Sequence, residues 1–331
     1  MAGELHELPA IRVGEIRHRL VSGEGDAPLA SLVGLRSADD AFVEVARFDG
    51  MERARSSLAL LEDRMATVDL RPALDLLREL RPLPARPSLS ISASFVGRRN
   101  YATADLKGAL AQGLARAKGP PVALDERDAP LHLRLVLEHG HARIGLRLAR
   151  VALHERGWKR AHRPGSLRPS VAAALWRLAG LTPGERALDA CCGAGTLLGE
   201  AAAVGARAIG GDRDPTALVV AAENLRGLGA AALLARWDAC ALPLPPACVD
   251  VAASNLPWGR QVASDSPPER FHAAAAAELA RVLVPGGRAV LLADADDPLA
   301  PGPLRVEAAR EIGLSGRRPK VLVLSRPRAA A

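Results

Sequence analysis

The sequence predicts an α/β protein: a mostly parallel sheet with a C-terminal antiparallel hairpin over residues 181–331, preceded by a smaller α+β region. Three observations carry this. Short apolar runs alternate with helical stretches from Leu181 onward, as in a parallel sheet whose crossovers are helices. A glycine-rich turn follows the first run, in "LDACCGAGT". The last two apolar runs are separated by Ser315-Gly316, which suits a turn between neighbouring strands at a sheet edge.

The elements follow in order. "ERALDACC" reads as a first strand and "GAGTLLGEAAAVG" as a turn opening a helix. "ARAIGGDRD" is a second strand, then "PTALVVAAENLRGLG" a helix. "AALLARWDA" and "CVDVAASNLPW" are the third and fourth strands. "SPPERFHAAAAAELARVLVPGG" is a helix closed by Gly-Gly, and "RAVLLADAD" a fifth strand. Upstream, residues 88–119 read as strand, loop and helix, and residues 130–154 as two strands about His139-Gly140-His141. Nearer the N-terminus, "IRVGEIRHRLV" reads as a helix, "DAFVEVARF" as a strand and "MERARSSLALLEDRMA" as a helix.

With 331 residues, 49% of them hydrophobic, the chain can fill the cores of two or three domains. No apolar run approaches the ~18 residues of a membrane helix, and "MAGELHELPAIRVGEIRHRL" is too charged for a signal peptide. Cys191, Cys192, Cys240 and Cys248 form neither a CxxC pair nor a disulfide framework, so a reduced, cytoplasmic setting is expected. Charge is unevenly placed. Residues 143–177 hold nine basic side chains against one acidic, while the chain on either side is nearly balanced. This strip carries Trp158 and faces phosphates in the reading favoured here, because neutralising phosphates releases counterions. Its rival is a solvated helix face. His154 and His162 lack metal-ligand spacing with any Cys, and no metal is expected.

The turn places Asp189, Gly193 and Gly195 at the carboxyl end of the first strand, where open α/β sheets bind ligands. Asp212 ends the second strand, a position from which a carboxylate accepts from both ribose hydroxyls of a nucleoside. Leu198 occupies the place of the third glycine of the dinucleotide fingerprint, which disfavours a pyrophosphate. Asp238, after the third strand, is placed to accept from an adenine amino group. Cys191 and Cys192 have no base beside them and read as packing residues rather than nucleophiles.

The fourth strand ends in Asn255-Leu256-Pro257-Trp258-Gly259. The lone pair of an exocyclic amine is delocalised into its base, so the amine is a poor nucleophile. Two acceptors, the Asn255 side-chain oxygen and the Leu256 carbonyl held by Pro257, can take its two hydrogens and favour tetrahedral character as charge develops. Trp258 can stack on the base, worth ~1–3 kcal/mol. A flipped base bearing an amino group fits this set.

"LDACCGAGT", Asp212 and Asp238 resemble the motifs of class I methyltransferases that use S-adenosylmethionine. That resemblance implies cofactor contacts from Asp189, Cys191, Gly193, Gly195, Thr196, Asp212 and Asp238, with Arg168 a candidate for the carboxylate of the methionine moiety. "NLPWG" resembles the Asn/Asp-Pro-Pro-aromatic motif of amino-group methyltransferases, with Leu256 replacing the first proline. "ALHERGWKRAHRPGSLRPSVAAALWRLAG" is similar to the link between THUMP and catalytic domains in THUMP-containing RNA (guanine-N2) methyltransferases.

The resemblance implies a Rossmann-like methyltransferase domain over residues 181–331, a basic linker and helix over 156–180, a THUMP-like RNA-binding domain over 66–155 and a degraded ferredoxin-like part over 1–65. It implies methyl transfer to the N2 amine of a guanosine in RNA, tRNA before ribosomal RNA, with Arg156, Lys159, Arg160, Arg163 and Arg260 contacting RNA. An amino-group methyltransferase acting on ribosomal RNA, DNA adenine or protein stays open, as does a non-catalytic RNA-binding relative. The modified nucleotide, the number of methyl groups and the oligomeric state are not encoded legibly.

Overall fold

The computed structural model describes residues 1–17, 20–117, 123–229, 232–257, 268–294, 301–314 and 316–328. The chain forms two compact units, Met1–Leu153 and His154–Ala331.

The first unit comprises α1 (Ala2–His6), β1 (Ile11–Arg17), β2 (Leu20–Gly25), α2 (Leu29–Val33), β3 (Phe42–Phe48), α3 (Ser56–Ala66), α4 (Arg71–Leu80), β4 (Leu89–Phe95), α5 (Thr103–Arg116), β5 (Leu131–Glu138) and β6 (His141–Arg147). Residues 11–21, expected as a helix, instead start an antiparallel hairpin of β1 and β2. Burial along β1 alternates residue by residue, the period of a strand, and Gly14 weakens a helix there. A four-stranded sheet runs in the order β3-β6-β5-β4, with β4 and β5 parallel across α5. Leu131, Leu133, Leu135 and Leu137 of β5 all point to one buried face, against Leu106 and Leu110 of α5 and Leu74 and Leu77 of α4. Because β3 pairs with β6, the sheet crosses the 65/66 boundary expected from sequence. The α3–α5 contact is close: a Cβ at Gly113 would lie 2.6 Å from the Glu62 carbonyl oxygen.

The second unit comprises α6 (Pro169–Leu178), β7 (Arg186–Asp189), α7 (Thr196–Ala203), β8 (Arg207–Asp212), α8 (Pro215–Leu228), β9 (Ala232–Arg236), β10 (Val249–Asn255), α9 (Pro268–Val282), β11 (Leu283–Ala293), β12 (Arg305–Glu311) and β13 (Lys320–Ser325). Its seven-stranded sheet runs β12-β13-β11-β10-β7-β8-β9. The five strands from β9 to β11 are parallel, while β13 is antiparallel to β11 and to β12. The expected C-terminal hairpin is therefore present. β11 begins earlier than expected, at Leu283, with an irregularity opposite Val249 and Val251 that absorbs Pro285-Gly286-Gly287.

Val249, Val251, Ala252 and Ala253 of β10 are all buried, as are Ala289 through Ala293 of β11. Continuous apolar runs of this kind belong to parallel strands covered on both faces. Strand order reverses between β7 and β10, which opens a crevice at their carboxyl ends. Residues 156–180, expected as a linker, are part of this unit. The Trp158 ring fills the space where Gly199 lacks a side chain, and its backbone lies against Gly227. Among the described residues no helix is long and apolar enough to cross a membrane.

Candidate active site

The turn after β7 is built on two left-handed glycines, Gly193 (φ 51°) and Gly195 (φ 74°). A Cβ at Gly195 would come within 3.0 Å of Ala221 on α8, so the turn must be bare there. At Gly193 a Cβ would meet nothing within 4 Å, leaving open space above the backbone. The Gly193 amide donates to Asp212 Oδ2 at 2.9 Å and the Asp214 amide to Asp212 Oδ1 at 3.0 Å. Each carboxylate oxygen keeps a further lone pair for a ligand hydroxyl. Thr196 opens α7 and is buried, its hydroxyl 3.2 Å from that of Ser166. Asp238 is exposed, and its Oδ1 accepts from the Cys240 amide at 2.9 Å.

Asp189 is buried at the end of β7. Its Oδ1 accepts from the Ser254 hydroxyl at 2.9 Å and from the Cys191 amide at 3.2 Å, while Ser254 Oγ accepts from the Ala190 amide. The acid thus braces the turn against the strand that carries Asn255. Burial pushes its carboxyl up to about 7, against stabilising bonds from Ser254 and Cys191. Burial also raises the Cys191 and Cys192 thiols, reinforced by Asp189, which keeps them protonated and unreactive. All four cysteines are free.

At the end of β10, the Leu256 amide donates to the Leu292 carbonyl at 2.9 Å, which fixes the chain as it leaves the sheet. Asn255 Nδ2 donates to the Gly165 carbonyl at 3.4 Å. Asn255 Oδ1 is buried and has no hydrogen-bond partner among the described residues. A buried amide oxygen left without a donor costs stability, and this one lies where the sequence places the acceptor for an amine. Pro257 follows, half-buried. Trp258 and Arg260 lie outside the described residues.

Three of the basic side chains expected to contact RNA, Arg156, Lys159 and Arg163, are engaged within the second unit. Arg156 pairs with Glu200 at 2.9 Å, the two side chains being 12% and 1% exposed. A buried carboxylate needs such a partner. Lys159 is half-buried and donates to the Leu167 carbonyl; burial pulls its ammonium down to about 8. Arg163 bonds Asp214 at 2.6 Å and Thr216 at 2.8 Å, and with Thr216 holds the Asp214 carboxyl down at about 2. Arg160 and Arg168 are exposed.

Two residues that sequence reasoning passed over complete the site. Ser254 sits between Asp189 and Asn255, its only signal being a polar residue closing an apolar run. Asn224 is fully buried on α8. Its oxygen accepts from the Arg160 and Ala161 amides, and its nitrogen donates to the Ala161 and Ala194 carbonyls, all within 3.0 Å. It ties the basic segment to the glycine turn.

These groups fit S-adenosylmethionine. Open backbone at Gly193 leaves room for the ligand, the spare lone pairs of Asp212 suit a ribose, and the lone acceptor of Asn255 stands at the next strand end. Among the described residues no cluster of His, Cys, Asp and Glu could hold a metal ion.

Comparison with known proteins agrees with this geometry. The RMKL-like methyltransferase domain of the UPF0020 family matches residues 156–301. The tRNA (guanine(6)-N2)-methyltransferase of Thermus thermophilus is 30% identical over 247 residues, 72% of this chain and 72% of that protein. The tRNA (guanine(6)-N(2))-methyltransferase THUMP3 of Bos taurus is 31% identical over 165 residues, which are 45% of this chain but only 32% of that protein, so the chain spans about a third of it. The crystal structure of TrmN from Thermus thermophilus superposes with a TM-score of 0.73 at 27% identity, covering 96% of this chain and 92% of that one. Sheet order, glycine turn, strand-end amide and these likenesses converge: the chain belongs to the family of RMKL-like methyltransferases that includes the tRNA (guanine-N2)-methyltransferases.

Proposed function

We propose that this protein methylates the exocyclic N2 amine of a guanosine in RNA, with tRNA the favoured substrate and the cytoplasm the setting. The observation that carries this reading is the buried, unpartnered Asn255 Oδ1 at the carboxyl end of β10. Bound S-adenosylmethionine supplies an electrophilic methyl group on sulfur. The chain's own part is to bind and orient. Asn255 Oδ1 and the Leu256 carbonyl accept the two amine hydrogens, which turns the nitrogen lone pair out of conjugation with the base. Positioning within a near-attack distance then supplies most of the rate. As the carbon–nitrogen bond formed, the methyl–sulfur bond would break with its electron pair staying on sulfur as a thioether, and the surplus proton on nitrogen would leave to water without a strong base.

The names of the relatives support guanine as the base and tRNA as the carrier. The α+β first unit takes the THUMP-like role of holding RNA, with Arg160 as the exposed basic contact of the catalytic unit. The test is transfer of labelled methyl from S-adenosylmethionine to unmodified tRNA and ribosomal RNA, with nucleoside mass spectrometry. N2-methylguanosine in tRNA, lost in Asn255→Ala while cofactor affinity persists, is the expected result. Transfer to another base or to neither RNA overturns it.

A further inference from the structure

The basic segment crosses the carboxyl edge of the sheet held by three ties. Asn224 clamps it at residues 160–161 through three hydrogen bonds, and a fourth reaches Ala194 in the glycine turn. Arg163 fastens it to Asp214 and Thr216 at the start of α8. Ser166 touches Thr196 at the start of α7. Between the last two ties, Gly165 adopts a left-handed backbone (φ 76°) and presents its carbonyl to Asn255.

We propose that the Gly165 carbonyl is a positioning group that sets the orientation of the Asn255 amide. It rests on the amine-methylation reading above. An amide side chain can be turned by half a rotation, which exchanges its oxygen and its NH2 group. A carbonyl oxygen only accepts, so it pairs with Nδ2 and repels Oδ1. With Gly165 in place, the oxygen is the atom left facing the substrate. In the reversed orientation two N–H donors would meet the donors of the substrate amine, and the acceptor needed for methylation would be lost. The three ties explain why the carbonyl stays where it is: each joins the segment to an element that also builds the cofactor crevice, so acceptor and methyl donor keep one frame.

The experiment combines Gly165→Ala, which strains the left-handed backbone and shifts its carbonyl, with Asn255→Asp, whose side chain has nothing to donate. Single-turnover methyl transfer at saturating cofactor and RNA is measured for wild type, both single variants and the double variant, with cofactor affinity by calorimetry. Gly165→Ala is expected to slow transfer roughly 10–100-fold with cofactor affinity within about twofold. In the Asn255→Asp background it should add less than about twofold, the mark of two residues acting as one unit. An unchanged rate in Gly165→Ala, equal losses in both backgrounds, or a parallel loss of cofactor affinity each overturns the proposal. A second readout needs no substrate. The Asn255 side-chain amide signals, identified by their absence from the Asn255→Asp spectrum, should be shifted and slow to exchange in wild type and move in Gly165→Ala. Signals at free-amide positions in wild type would sink the positioning role. If wild type transfers no methyl to guanine while those signals behave as expected, the substrate reading fails and the positioning contact stands.

Discussion

Asp189 carries its charge at a cost that depends on pH. Its carboxyl stands at about 7 in the fold against an ordinary 3.8, because burial outweighs the bonds from Ser254 and Cys191. Between those values the folded state holds the proton more tightly than the unfolded chain, so stability falls as pH rises through the window. Below about pH 4 both states are protonated and the cost vanishes; above about pH 7 it is complete. The substitution Asp189→Asn would keep an Oδ1 acceptor for both donors without any charge. Unfolding measured against pH should therefore show Asp189→Asn gaining stability relative to wild type from about pH 4 to pH 7, and holding that gain above it. A constant difference across the range would mean that the carboxyl titrates normally. The placement of Asn255 and Asp212 at strand ends is legible in the sequence because each closes an apolar run. The role of Asn224 is not, since its partners lie 63 and 30 residues away and nothing in "AAENLRG" marks it.

At the scale of elements, the crossovers of the second unit can be read because each is local: a strand, a short turn and a helix with its own period. The β1–β2 hairpin cannot, since its apolar spacing fits either period over so short a run. The basic segment misleads for a different reason. A charged side chain looks solvated until its partner is known, and Glu200, the partner of Arg156, sits 44 residues further on. What draws the segment in is the pair of bare positions, Gly199 on α7 and Gly227 on α8, that accept Trp158. Gly199→Val should destabilise the protein by about 3 kcal/mol in urea unfolding, because its side chain would collide with the indole. Trp158→Leu should relieve part of that loss when combined with it. Full additivity of the two changes would show that they do not share one space.

At the scale of the whole molecule, the net charge of +7 does not say which cations a nucleic acid can reach. Arg156, Lys159 and Arg163 are engaged within the fold. Arg160 remains exposed, and Arg160→Glu should weaken RNA affinity and lower the slope of log affinity against log salt by about one. An unchanged slope in filter binding would take this surface out of the RNA path. The second unit begins at His154, and the RMKL-like domain begins to match at residue 156, well before the first strand at Arg186. The family's domain thus includes this segment as well as the sheet. Recombination that joined a new module ahead of residue 154 would carry an intact acceptor amide with it. A splice made at residue 181, where the alternating pattern begins, would deliver a sheet whose Asn255 had lost its guide.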